Sequence, residues 1–286
     1  MQRLIVNADD FGLTRGVNRA VVELHAHGVL TSATLMARAS ASEEAIRLAL
    51  KTPSLGIGCH IVLVDGEPVL PAAEIPTLVH KATGRFHPTL GGFLGRVLSG
   101  RIDAAEIQAE AAAQIAALCA HGLQLTHLDT HKHTHMLPTV LRAVLCAGRR
   151  AGISAVRNPF EPLWSRQATA NAPWARRVEV SLLHHLESRF RRIVRQEGVA
   201  TTDGAIGVLA TGTLDAATLR SLLQHAPQGT WELVTHPGYQ DAELLQIKTR
   251  LRESRDEERN ALFALQQPAG LELVTFADLG RFGTPR

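Results

Sequence analysis

The strongest constraint on the fold is a rhythm. Short apolar runs without polar alternation recur along the chain, and each is followed by a stretch with helical spacing. Residues 3–8 (RLIVNA) form the first run, and a strand buried in a parallel sheet needs this kind of unbroken apolar stretch. Residues 16–28 follow with Val17, Val21 and Leu24 on one helical face. Residues 30–36 read as a second strand. Ser42–Lys51 reads as a helix, with Ser42 as its N-cap and Pro53 just past its end. Residues 55–63 form a third strand, 102–121 a long Ala-rich helix closed by Gly122, and 125–129 a further strand. A helix over 138–151, stopped by Gly152, leads to a short strand at 155–157. Strands at 205–209 and 231–235 then alternate with helices at 214–225 and 242–266, and a last strand spans 271–276.

This alternation predicts an α/β fold with helices covering a parallel sheet, and the number of units favours a distorted (β/α) barrel. The chain has 286 residues, which suits a single domain with room for insertions. Two stretches break the rhythm. Residues 65–100, rich in proline and glycine, read as an excursion over the barrel mouth. Residues 158–200 read as a second insertion, helical in its later half.

Composition narrows the function classes. Apolar residues make up 45% and charged residues 20%, ordinary values for a water-soluble globular protein. A net charge of +3 is too small to argue for nucleic acid. Arg176, Arg177, Arg189, Arg191, Arg192 and Arg195 read as a solvated helix face, with an anionic or membrane-surface partner as the lesser reading. Three scattered cysteines form neither a disulfide framework nor a thiolate zinc motif. With no stretch long and apolar enough to span a membrane and no leader-like N-terminus, the expectation is a cytoplasmic protein.

Four segments stand out, each at the end of an expected strand, where α/β barrels gather their chemistry. The first is Asn7-Ala8-Asp9-Asp10-Phe11-Gly12. Two adjacent carboxylates can divide between holding a metal and facing a water, although a helix cap or turn accounts for such a pair equally well. In the second, His60 lies in an apolar strand, as a ligand or as a hydrogen-bonded core residue. The third, residues 126–135 (THLDTHKHTH), holds four histidines and an aspartate in ten residues. Histidine is the commonest metal ligand, and positions 131, 133 and 135 share a face if the segment stays extended. The fourth is Glu232-Leu233-Val234-Thr235-His236-Pro237-Gly238-Tyr239, where His236 ends a strand and Pro-Gly forces a turn. Together these supply what metal-assisted hydrolysis needs: a carboxylate and two imidazoles as ligands, a second carboxylate as base and a separate histidine as acid.

At these residues the chain resembles the YdjC-like carbohydrate deacetylase family. The resemblance runs through NADDFG, the Gly-x-His of 58–60, THLDTHKHTHMLP at 126–138 and THPGY at 235–239. It implies a barrel related to that of NodB-type polysaccharide deacetylases. It also implies a divalent metal on Asp10, His60 and His131, Asp9 as general base, and His236 as the acid that protonates the leaving amine. Family precedent suggests magnesium, while two imidazoles suit zinc or another transition metal better. Arg157 would orient Asp9 or bind substrate. Asp129, His133 and His135 would orient His131 or touch sugar, and the metal ligand could instead be another histidine of the cluster. A finer resemblance, in residues 60–76, is to the branch associated with hopanoid biosynthesis, which implies an N-acetylglucosaminyl hopanoid as substrate. The partners expected are an N-acetylated sugar or glycolipid, with peripheral membrane contact and a homodimer left open. A hydrolase of another bond (a phosphoester or sugar lactone), a chitooligosaccharide deacetylase and a non-catalytic binder stay as alternatives.

Overall fold

The computed structural model describes residues 1–266 and 270–282. The chain begins with β1 (Gln2–Phe11), α1 (Arg15–Ala26), β2 (Ser32–Leu35), α2 (Ser42–Lys51) and β3 (Gly56–Ile61). After the excursion come α3 (Leu90–Leu98), α4 (Ala104–Cys119), β4 (His127–Thr130) and α5 (Pro138–Arg150). The second insertion is α6 (Leu163–Ala168), α7 (Trp174–Leu183) and α8 (Glu187–Gln196). The chain continues through β5 (Gly204–Ile206), α9 (Ala216–His225), β6 (Gly229–Thr235), α10 (Ala242–Gln246), α11 (Glu253–Phe263) and β7 (Leu271–Leu273).

All strand pairings are parallel, in the order β4-β3-β2-β1-β6-β5, with β7 against the start of β1. Leu4, Ile5, Val6 and Ala8 of β1 are all buried, so both faces of the strand are covered, as the unbroken apolar run requires. The sheet curls into an incomplete barrel. Beyond β4 it continues only as single bridges, Leu128 to Val156 and Ala155 to Ala200, toward the segment that becomes β5. The short strand expected at 155–157 is thus reduced to bridges, although Arg157 N still donates to Leu128 O at 3.0 Å.

Several local expectations shift. The helix expected over 242–266 is two helices, α10 and α11, separated at 247–252. Ser42 does not cap α2. Its hydroxyl instead donates to Met36 O, while Asp103, Thr14 and Asp215 do cap α4, α1 and α9. The last strand stops at Leu273, and Phe276 enters a 3₁₀ turn whose Thr275–Asp278 capping box ends the extended run. The excursion is regular only in α3. The buried Glu110 of α4 anchors it by accepting from Val69 N at 2.8 Å and Leu70 N at 3.0 Å. Gln114, one turn on, accepts from Val62 N and donates to Val62 O. The second insertion is helical in its earlier half as well as its later one.

Candidate metal and catalytic site

The site forms where β1, β3, β4 and β6 end. Strand alternation alone would send Asp9 and Asp10 to opposite faces. The β1–β2 register instead slips between Ala8 and Phe11, and Asp10 takes a left-handed conformation at φ 62°. An extra residue in one strand is a bulge, and aspartate tolerates left-handed backbone better than most residues. The bulge brings both carboxylates, each 2% exposed, to the same group of partners.

Asp9 is gripped by Arg157, whose Nη2 donates to Oδ1 at 2.6 Å and Nη1 to Oδ2 at 2.8 Å. The same guanidinium, fully buried, reaches Asp129 Oδ2 at 2.5 Å and Glu232 Oε1 at 2.7 Å. One buried cation thus serves three carboxylates, and a buried charge is tolerable only with such partners. Burial alone would raise the Asp9 pKa. The Arg157 guanidinium overrides it, with His60 and His236 helping, and holds Asp9 far below the usual carboxylate range. Glu232 is pushed by burial up to about 7, with Arg157 opposing and the Asp9 and Asp129 charges adding to the rise.

His60 is 1% exposed, and its Nδ1 lies 2.8 Å from Asp129 Oδ1. An ionised carboxylate only accepts, so Nδ1 donates and Nε2 is left to face the cavity. Nε2 lies 3.3 Å from His131 Nδ1 and 3.4 Å from Asp10 Oδ1, and His131 Nδ1 lies 3.2 Å from that same oxygen. Asp10 Oδ1 is buried and has no hydrogen-bond partner. Three atoms thus converge that can each offer a lone pair once both imidazoles are deprotonated there, and a carboxylate backs one imidazole. This is the donor set and outer support of a His-His-Asp metal centre, so the residues fit a divalent cation. The field is strong enough that, against the lowering effect of burial, Asp129 and Asp10 pull the His60 pKa up to about 10. A second grouping of Asp9, His60 and Asp129 also has its atoms close together, but Arg157 already bridges both of its carboxylates.

Residues 131–135 are not extended, so 131, 133 and 135 do not share a strand face. The segment is a 3₁₀ turn in which Lys132 and His133 are left-handed, at φ 58° and 53°. His131 reaches the cation group. His133 Nδ1 is buried without a partner. The nitrogens of His135 meet Thr130 Oγ1 at 2.7 Å and Arg157 O at 3.3 Å, which leaves neither for a sugar. His236 Nε2 lies 3.7 Å from Asp9 Oδ2, and burial draws its pKa down to about 4 while Asp9 and Asp10 oppose.

Three contributors carried no signal that sequence reasoning used. Glu258 of α11 accepts from His236 N at 2.6 Å and faces His236 Nδ1 at 3.9 Å. Arg255, one turn earlier, donates to Asp10 Oδ2 at 2.5 Å. Thr34 Oγ1 sits within 3.2–3.3 Å of His60 Nδ1, Asp9 and Asp129. Glu232 did leave a trace, as a lone acid in the apolar run WELVT, where an unpaired charge would be costly.

The model of the YdjC-like protein family matches residues 3–269. A carbohydrate deacetylase of Brevibacillus brevis is 32% identical over 284 residues, covering 97% of this chain and 100% of the relative. A chitooligosaccharide deacetylase of Serratia marcescens is 31% identical, covering 86% of this chain and 85% of its own. Among solved structures, one from Enterococcus faecalis V583, described as a candidate cellobiose-phosphate cleavage protein, superposes with a TM-score of 0.73. It is 24% identical and covers 97% of this chain and 98% of its own, a likeness of fold.

Proposed function

From the premise that the chain belongs to the YdjC-like protein family, we propose that it is a metal-dependent carbohydrate deacetylase. It hydrolyses the acetamide of an N-acetylated sugar to acetate and a free amine. The observation that carries this reading is the convergence of Asp10 Oδ1, His60 Nε2 and His131 Nδ1 beside an ionised, arginine-held Asp9. The relatives named carbohydrate and chitooligosaccharide deacetylase support the substrate class.

Asp10, His60 and His131 would hold a divalent ion, which would supply Lewis acidity toward the acetamide carbonyl and water. The protein's own groups do the rest. Asp9, held ionised by Arg157, takes the proton of the attacking water as the new C–O bond forms. His236 is neutral near pH 7 and lies 3.7 Å from Asp9. It relays that proton to the nitrogen as the C–N bond breaks, so water's hydrogens end on acetic acid and amine with none left on the enzyme. Two imidazoles and one carboxylate favour zinc or another transition metal over the magnesium that family resemblance implies.

Acetate release from N-acetylglucosamine-containing substrates tests the reading, with elemental analysis of the purified protein for the ion. Asp9→Asn should retain the metal and lose roughly 100-fold or more in kcat. Normal deacetylation by that variant sinks the base assignment, and release of phosphate or opening of a lactone without acetate sinks the reaction class.

The finer reading is a glycolipid acceptor, an N-acetylglucosaminyl hopanoid, drawn from the resemblance over residues 60–76. One structural observation favours an amphiphilic substrate. Trp174, Val178 and Leu182 of α7, 79%, 49% and 66% exposed, recur every four residues along one helical face. Arg176 of the same helix donates to Val208 O, in the segment after β5, which places α7 beside the strand-end side of the sheet. Faster acetate release from chitobiose than from the glycosylated hopanoid in mixed micelles would overturn this acceptor and leave the deacetylase reading intact.

A further inference from the structure

Arg255 is 1% exposed, among the largest fully buried side chains of the molecule. Burying a guanidinium is expensive, so its partners reveal what it is for. Nε donates to Leu251 O at 3.0 Å, which fixes the stem, and Nη2 donates to Asp10 Oδ2 at 2.5 Å. Its backbone carbonyl accepts from Gly238 N at 3.2 Å. The path it follows depends on that glycine. A Cβ on Gly238 would meet Arg255 Cδ at 3.1 Å, Val17 Cγ2 at 3.2 Å and Arg255 Cβ at 3.3 Å. The glycine of His-Pro-Gly-Tyr therefore does more than turn the chain: it leaves the gap through which Arg255 threads from α11 to β1.

The two oxygens of Asp10 consequently differ. Oδ2 is committed to a charge-assisted bond with Arg255, while Oδ1 is buried, unpartnered and turned toward His60 and His131. A free carboxylate can offer a cation one oxygen or both. Resting on the metal reading above, we propose that Arg255 is a positioning residue that restricts Asp10 to one-oxygen ligation, with Gly238 as its clearance. Two nitrogens and one oxygen then leave positions open for water and an acetamide carbonyl, as a hydrolytic centre requires. Without Arg255, Asp10 rotates to offer both oxygens and takes up one of those positions.

The test reads coordination directly. Metal-free protein is titrated with Co²⁺, whose visible absorption weakens as coordination number rises. Arg255→Met should bind Co²⁺ with a clear loss of visible intensity relative to the parent. Arg255→Lys, which keeps the charge but not the fork, should fall between them, and Gly238→Ala should shift the bands by displacing an intact arginine. If Arg255→Met does not fold, the other two variants decide the matter. Parent-like spectra in the variants that fold overturn the proposal. A parent protein that takes up no Co²⁺ overturns the metal reading instead.

Discussion

The histidine-rich run of residues 126–135 and helix α11 make opposite contributions for their visibility. The run is conspicuous, yet its four histidines divide in role. His131 joins the cation group, while His135 has both nitrogens engaged by Thr130 and Arg157. His127 lies stacked on Phe276 with centroids 3.7 Å apart, and its ring fills the space that a Cβ on Gly58 would need. Helix α11 (ESRDEERNALF) looks like any solvated charged helix, yet Arg255 and Glu258, one turn apart, both reach the site. An unusual residue type marks a region. Which of its members does chemistry is decided by the path of elements far away in the chain.

That contrast can be broken by experiment. The largest effect should come from His131→Ala, which removes one of the three proposed ligands. Metal should be lost and turnover should drop by roughly 1000-fold or more, since a bound ion contributes several kcal/mol to the transition state. Full metal occupancy in the purified variant would move the ligand to another histidine of the run.

His127 should behave as core. Burial holds its pKa down to about 3, from an ordinary 6.5, so it stays neutral in the folded protein while the unfolded chain gains a proton below pH 6.5. The parent should therefore lose stability relative to His127→Phe, which keeps the stacked ring without the nitrogens, as pH falls from 6.5 toward 3. The difference should reach on the order of 4 kcal/mol at the acid end and stay constant above pH 6.5. Denaturation curves whose spacing does not change with pH would show that the ring titrates normally.

Next in size is His135→Ala. Leaving the Thr130 O–H and the Arg157 carbonyl without the imidazole that bridges them should cost about 2 kcal/mol of stability. Metal affinity should change far less than in His131→Ala, and a comparable loss of metal would erase the division drawn within the run. The smallest effect belongs to α11. Glu258→Gln keeps the shape but puts a neutral amide where a carboxyl, its pKa pushed by burial up to about 7, faces His236, so above that pH kcat should fall about 10-fold, the worth of one hydrogen bond to a charged group. Metal content should stay at the parent level, and a kcat equal to the parent's would return Glu258 to a merely structural part.

The parallel sheet was legible because strands covered on both faces must be apolar throughout, and 3–8, 30–36 and 55–63 have few ways to hide such runs. Asp9, Asp10, His60, His131 and His236 were each noticed as chemistry-bearing types at strand ends, and the fold brings them together. What escaped were effects of tertiary path. The left-handed pair Lys132–His133 overrides strand alternation, and nothing in the residue types announces it. The break at 247–252 also lies in a stretch that reads as continuous helix. Arg255 is one of thirty basic residues, distinguished only by where α11 ends up.

The bulge at the end of β1 has a mechanical consequence. Because Asp9 and Asp10 are sequence neighbours, a single planar peptide unit fixes the spacing of their Cα atoms, so the proposed proton acceptor and cation-holding group cannot be drawn apart by loop movement. His236 and its support from α11 are joined to that pair only through non-covalent contacts. Mutation, temperature or a bulky acceptor can therefore displace His236 from the pair while the backbone spacing of Asp9 and Asp10 stays fixed.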